Sequence, residues 1–499
     1  MEGKPGLMVR VNAKAGAALI SVCVALAAPV WAQSSGDVVT KQYEDGGIYE
    51  GTFKDGKQDG MGTYRLPNGY EYSGEWVDGE IKGQGVAIFA NGSVYEGAFA
   101  AGKPNGQGKI TFVDGGTYEG EWVDGKISGS GIAQYANGVK YQGNFKNALH
   151  DGQGTMTSPN GYIYKGTWVN GVKEGSGTIT YPDGAVYDGS LSAGLREGQG
   201  TLTMQDGLIY TGQWKAGQIN GTGRLTQANG DVYEGSLVNG ARAGQGKVTY
   251  QNGDVYQGNF AGDKRDGQGT FTGADGYVYT GSWVDGRIEG QGRVTYPDGS
   301  VYEGQFKDDL AEGIGKITYP DGNTYEGDWV GGVIEGRGVA RYANGLVYDG
   351  EFKNAKNDGQ GKMTYSDGYT YEGAWRDGQR AGTGTATYAD GTVYTGTFIA
   401  GQRDGQGTIV MSDGFKYQGQ WSQGEINGTG TATYANGDVY EGNFVRGKRQ
   451  GSGTIKYANG QQAAGNWENG ALTEEAPSPA AGAEGGAASG DGTVQPSGN

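Results

Sequence analysis

A single cysteine, Cys23, and a single histidine, His150, are all that 499 residues offer of the two side chains most used in covalent and metal chemistry. Cys23 lies in an apolar leader, so the body that follows has no thiol and holds neither a disulfide framework nor a thiolate site. His150 stands in Ala148-Leu149-His150-Asp151-Gly152 without a serine or cysteine constellation, which reads as a solvated turn residue and not a general base. Blocks of Lys and Arg are missing too, and the formal net charge is −17. Nucleic acid is therefore excluded as a partner, because its binding is driven by phosphate neutralisation.

The one long apolar run, residues 15–30, follows Lys4, Arg10 and Lys14 and ends at Val30-Trp31-Ala32 before polar Gln33. That order predicts a secretory signal peptide over 1–32, cleaved after Ala32, and export to the periplasm, cell envelope or exterior. Met8 would serve equally as the start. Val22 before Cys23 is not the small residue a lipid-anchored cysteine requires. Removal of the leader would make the acidic body two charges more negative.

What fills the rest is a 23-residue period without insertion or deletion. Tyrosine recurs from Tyr49 to Tyr440, with a degenerate nineteenth copy at Ala463, and glycine stands two residues after this column from Gly51 to Gly465. A fixed period of this length signals a repeat architecture. Within one copy Tyr302, Gly304 and Phe306 alternate with Val301, Glu303 and Gln305, and a second alternation runs through Gly290, Gly292, Val294 and Tyr296. Period two means strands with two unlike faces. Asp298-Gly299, Asn344-Gly345 and Asp367-Gly368 between copies read as tight hairpin turns with both residues at positive φ. The other connection, as in Val284-Asp285-Gly286-Arg287-Ile288-Glu289, reads as longer. The expected fold class is all-β: an elongated single-layer antiparallel sheet, a rod of about nineteen β-hairpins. A glycine in every strand implies that something crosses the backbone there, and the rings of Tyr and of Trp or Phe are the candidates.

Four residues after Tyr the ring alternates, Phe53, Trp76, Phe99, Trp122, Phe145, Trp168, so the deeper period is 46. Eleven residues after Trp the apolar position is often small (Ala87, Ala133, Ala340, Ala386), and after Phe it is large (Ile110, Ile317, Met363). This suggests that large rings meet small partners. Five residues after Trp, Ile recurs at 81, 127, 219, 288, 334 and 426. The alternation slips where Leu237 is followed directly by Phe260, which places a seam near 240–256.

The motif Tyr118-Glu119-Gly120-Glu121-Trp122 followed by Gly129-Ser130-Gly131, repeated as Tyr302, Gly304, Phe306 and as Tyr325, Gly327, Trp329, resembles the membrane occupation and recognition nexus (MORN) repeat. The resemblance covers roughly residues 42–470 and is here of a secreted bacterial type. It implies a twisted β rod used for scaffolding, self-association and, in some relatives, contact with phospholipid. Some relatives carry such repeats before a lipid kinase; no residues remain here for one, so that activity is not carried over.

The domain plan is thus a signal peptide over 1–32, a linker over 33–41, the array over 42–470 and a disordered tail over 471–499 rich in Glu, Pro, Ala, Gly and Ser. The half-repeat at 42–46 and the truncated copy at 463–470 serve as caps. Carboxylates one residue after Tyr, such as Glu303, Glu326, Asp349 and Glu372, form a ladder of near-identical environments, unlike the two unlike carboxyls of a glycosidase. The calcium nonapeptide does not recur, and no helix follows the Gly-x-Gly pairs to cradle phosphate. No catalytic residue, metal or cofactor is expected. Arg196, Arg242, Arg265, Arg403 and Arg449, in the longer connections, are candidate anion contacts. The function expected is a non-enzymatic scaffold of the envelope, with envelope proteins or its own copies as partners; an anionic-lipid or cell-wall-glycan module is the alternative, and a hydrolase the least favoured.

Overall fold

A computed structural model describes residues 36–475, so the signal peptide over 1–32, Cys23 and the tail beyond 475 lie outside the described residues. Thirty-nine strands and no helix occur among them. The chain divides into two units, one ending at Glu174 and one beginning at Gly175. In the first, each strand from Val39–Gln42 to Ile163–Val169 pairs antiparallel with the next in sequence. In the second the same order runs from Gly175 to the strand Ala471–Glu475.

Each repeat is a seven-residue strand and a nine-residue strand, for example Val278–Val284 and Arg287–Thr295. The two turns have exchanged the roles expected of them. Asp285 and Gly286, at φ 51 and 90, form the two-residue hairpin with both residues left-handed, closed by the pair Val284↔Arg287. At Asp298-Gly299 only the glycine is left-handed, φ 87; Gly299 N donates to Tyr296 O at 2.9 Å, and Ser300 N to Asp298 Oδ1 at 2.8 Å. This is a type I turn completed by a left-handed glycine, with Asp or Asn before it because the side chain caps the turn.

The two glycines of Gly-x-Gly have separate causes. Register runs Gly281↔Gly292 and then Trp283↔Ile288, so Ser282 spans a bulge at Glu289-Gly290-Gln291, and Gly290 takes φ 74 to make it. Gly292 instead faces Gly281 beneath the ring of Tyr279; a Cβ on Gly292 would lie 2.5 Å from Tyr279 Cε2. The tyrosine hydroxyl then donates to Ser282 O at 2.9 Å. So the crossing ring is the tyrosine's, as the glycine column implied.

Those rings make the core. Tyr302 is 1% exposed and meets Phe306 at 5.1 Å and Trp329 at 5.0 Å, edge to face, and Trp329 meets Tyr325 at 5.7 Å. Contacts of this type, each worth roughly 0.5–1.5 kcal/mol beyond area burial, run from Tyr49 to Trp168 in the first unit. In the second, Leu237 interrupts them. The strands on both sides of Leu237 nevertheless keep full register, so pairing continues through 240–256. Trp329 faces Ile334, whereas Ala340 faces Tyr325 and Tyr348. The small residue thus relieves the tyrosines, and the direct partner of the indole is the isoleucine.

The opposite face is polar. Arg293 pairs with Glu303 across strands at 3.0 Å, Lys362 with Glu372 at 3.5 Å, and Thr270 bonds Thr280 at 3.1 Å, all exposed. At the ends, the strand Val39–Gln42 begins inside the stretch read as a linker and ends on the first residue of the array. Ala471–Glu475 likewise extends the last hairpin beyond 470, because Leu472 registers with Trp467.

Two hairpin turns carry alanine where most carry glycine: Ala148 at φ 64 and Ala355 at φ 61. Left-handed backbone costs a residue with a Cβ about 1–2 kcal/mol, while glycine loses about 0.5–1 kcal/mol in unfolded-state entropy. Ala355→Gly is therefore expected to stabilise its hairpin by about 0.5–1 kcal/mol, read as slower amide exchange over the strands Val347–Lys353 and Lys356–Thr364. Faster exchange there would refute the assignment.

Candidate binding face

The second residue of each nine-residue strand decides what covers the rings. Arg196, Arg242, Arg265, Arg403 and Arg449 all occupy this position, so they lie in strands and not in connections. Arg196, Arg403 and Arg449 stack on Trp214, Trp421 and Trp467 with Cζ 4.1, 4.4 and 4.1 Å from the ring centres. Each donates Nη2 to the carbonyl of the next hairpin turn, Gly217, Gly424 or Gly470, at 2.6, 2.8 and 2.6 Å. Arg265 lies 4.8 Å from Trp283 and bonds the Tyr250 hydroxyl at 2.8 Å. Arg242 pairs with Asp263 at 3.2 Å beside Phe260. The five candidate anion contacts already have intramolecular partners, and a sixth arginine of the same kind, Arg380, was missed by the sequence reading. Its Nη2 donates to Gly401 O at 2.7 Å, and Nη1 donates to the Tyr369 hydroxyl. The strand position itself, five residues after the ring, was the available signal.

His150 holds the same position and is half-buried in the strand Leu149–Thr157, not solvated in a turn. Its imidazole stacks on Tyr141 at 3.6 Å, meets the Tyr135 hydroxyl through Nε2 at 2.8 Å and lies edge-on to Trp168 at 4.8 Å. Trp168 Nε1 is the buried side-chain polar atom left without a partner among the described residues. Burial pushes the His150 pKa down from 6.5 to about 4. The folded state thus disfavours the imidazolium. Between pH 6.5 and about 4 the unfolded chain binds a proton that the folded chain does not, so stability present above 6.5 falls as pH drops through that window. His150→Phe is expected to remove this contribution: the gap in unfolding midpoint between parent and variant should shift towards the variant from pH 7 to pH 4.5. The single imidazole NMR signal, observed on protein freed of any histidine tag, checks the cause directly. A titration near 6.5 would contradict the buried stack.

In the first unit the position is held by Gln58, Ile81, Pro104, Ile127, His150 and Lys173, the last with Nζ 4.6 Å from the ring centre of Tyr162. Around Pro104 the ring face opens into a groove of about 790 Å3, floored by Phe99, Ile110 and Trp122 and walled by Leu66, Phe89 and Phe112. Phe112 is 37% exposed. A tyrosine fills this wall column in many later copies; Phe or Leu here makes the wall apolar.

The buried tyrosines are held neutral: burial pushes Tyr302 up to about 12, with Tyr296 and Glu312 adding to the shift. Where a carboxylate follows the Tyr it is exposed on the other face, as at Glu119, Glu234 and Glu303, opposite Lys109, Arg224 and Arg293. Among the described residues no group of three or more His, Cys, Asp or Glu is placed to hold a metal ion. The repeat positions Tyr118, Gly120, Trp122, Gly129 and Gly131 build the ring face, as do Tyr302, Gly304, Phe306 and Tyr325, Gly327, Trp329.

Among curated proteins the chain is similar to Alsin of Rattus norvegicus, 42% identical over 55 residues, and to human Alsin, 40% over 55 residues. Each match covers 10% of this chain and 3% of the Alsin length. Among solved structures it aligns with the SAS-4 (dCPAP) TCP domain of Drosophila melanogaster, solved with a proline-rich motif of Ana2. That alignment has 15% identity and a TM-score of 0.22, over 36% of this chain and 90% of that one. A streptogramin B lyase aligns at 13% identity and a TM-score of 0.11, over 59% of this chain and 91% of that one. The MORN repeat model matches eighteen consecutive stretches from 49–69 to 440–462, which follow the strand pairs described above; the chain belongs to the MORN repeat family.

Proposed function

We propose that this protein is a non-enzymatic interaction scaffold of the cell envelope, exported by its leader, whose ring face takes up a segment of another protein or of a second copy. The observation that carries this reading is the apolar groove around Pro104. It lies on a chain in which Arg196, Arg403 and Arg449 cover tryptophan rings at the matching place and whose other face is polar and charge-paired. Apolar grooves rimmed by polar residues are where partner chains dock. Chemistry is disfavoured because repetition gives each carboxylate nearly the same exposed environment, so no acid and base are set apart.

The test is capture from envelope extracts with the exported chain and with Phe112→Asp, an exposed wall substitution that leaves the ring core intact. A partner held by the parent and released by the variant supports the reading. Retention of the same proteins by both would overturn the groove's part in it. Co-sedimentation with anionic liposomes and with peptidoglycan tests the lipid and glycan alternatives, and an intact mass beginning at Gln33 tests export.

A further inference from the structure

The fold contains its own demonstration of what this groove recognises. At three of the six arginines that hold the second position of a nine-residue strand, Arg196, Arg403 and Arg449, the guanidinium lies over the tryptophan eighteen residues on and donates to a turn glycine carbonyl twenty-one residues on. Arg449 also has the ring of Tyr434, fifteen residues earlier, at 5.9 Å. The three surfaces are an indole face, a carbonyl and a second ring. They accept a planar cation with N–H donors at its edge, which suits arginine better than lysine.

Applied to Pro104, the same spacings give Trp122, Gly125 and Phe89, and all three line the groove together with Pro104 itself. The pyrrolidine ring is too short to reach them and has no donor. Trp122 directs Nε1 to Gly108 O at 3.3 Å, so what it turns to the groove is ring surface. We propose that the groove beside Pro104 binds an arginine side chain presented by a partner protein, which takes the place that the chain's own arginines take in later repeats. The formal charge of −17 favours a cationic partner. Lys103 and Lys126 on the rim are no obstacle: Lys448 and Lys264 stand in the first place before Arg449 and Arg265, and Arg287 stands in the second after Arg265. The apolar wall of Leu66, Phe89 and Phe112 then receives whatever flanks that arginine in the partner. This inference rests on the interaction-scaffold reading and gives it a partner chemistry.

The experiment uses the whole exported chain with 15N-labelled tryptophan, titrated with Nα-acetyl-arginine methylamide and, separately, with the citrulline analogue, which keeps the shape and lacks the charge. The Trp122 indole signal is expected to move saturably with the arginine probe and not with citrulline. Pro104→Arg supplies the guanidinium from within, in the arrangement of Arg196, Arg403 and Arg449, and should abolish the response while the other indole signals keep their positions. Pro104→Ala should leave the response in place, which separates filling of the site from loss of proline. No shift in the parent, an equal shift with citrulline, or an undiminished shift in Pro104→Arg would each overturn the proposal. If the envelope partner is still captured by Pro104→Arg but not by Phe112→Asp, the scaffold reading stands and the arginine assignment falls.

Discussion

Replacement of Trp329 by alanine is expected to destabilise its neighbourhood by about 3–5 kcal/mol, the range for loss of a large buried ring. The indole is 7% exposed, touches Tyr302 and Tyr325 and donates Nε1 to Gly315 O at 3.2 Å. Its removal opens a cavity between two tyrosines whose positions are fixed by their own backbone bonds, so little collapse can refill it. Because each strand pairs with its sequence neighbours, the loss should remain local. Amides of the strands Val301–Lys307 to Val333–Arg341 should exchange faster, while those near the strand Val439–Val445 keep their protection. Uniform loss along the second unit would mean that the repeats unfold as one body. The register also ranks two milder tests. Trp329 faces Ile334, and Ala340 faces Tyr325 and Tyr348. A cycle of Trp329→Phe with Ile334→Ala should therefore show the larger coupling, and one with Ala340→Ile the smaller; the reverse order would restore the idea that ring and small residue compensate directly.

Strand alternation, the 23-residue period and the glycine column made the fold legible, since each reports a constraint acting within a few residues of itself. Glycine two after Tyr had to mean a close approach, and the structure finds the ring of Tyr279 over the facing pair Gly281 and Gly292. Turn geometry was harder. Asp-Gly occurs in both connections, and what separates Asp285-Gly286 from Asp298-Gly299 is whether the closing pair falls directly beside the dipeptide or one residue before it. The bulge at Glu289-Gly290-Gln291 hides that offset, because it shifts one strand against the other without altering the period. The arginines were misplaced for the same reason: with the turn thought longer, the second strand residue looked like part of a connection. His150 followed them. Its ring partners lie 5 to 18 residues away across two strand pairings, where composition says nothing about burial. The groove at Pro104 was invisible in one copy of the repeat. It emerges only when the position is compared between copies and the missing guanidinium is set against the tryptophan and carbonyl that would receive it.

The glycine pair gives the sharpest separation of effects. The three atoms nearest a Cβ added at Gly315 all belong to the ring of Tyr302, Oη at 2.2 Å and Cε2 and Cζ at 2.5 Å, whereas those nearest one at Gly304 include the Cα of Gly315 at 2.5 Å. Neither glycine needs a left-handed φ, so the penalty in both is space and not backbone strain. Overpacking of this degree destabilises by about 3 kcal/mol. The two sites differ in what can yield. In Gly315→Ala the obstacle is a side chain, so adding Tyr302→Leu should recover part of the loss even though that change alone is harmful, because the tyrosine ring and its bond to Gln305 O are removed. In Gly304→Ala the obstacle includes the backbone of the paired strand, held by Gly304↔Gly315 and by the next pair on each side, and the same second change should recover little. Amide exchange over the strands Val301–Lys307 and Leu310–Thr318, compared for the two single and two double variants, reads the difference. Equal recovery in both would show that the strands can separate to admit a methyl group. The tyrosine, and not the interstrand distance, would then be what excludes side chains from this column.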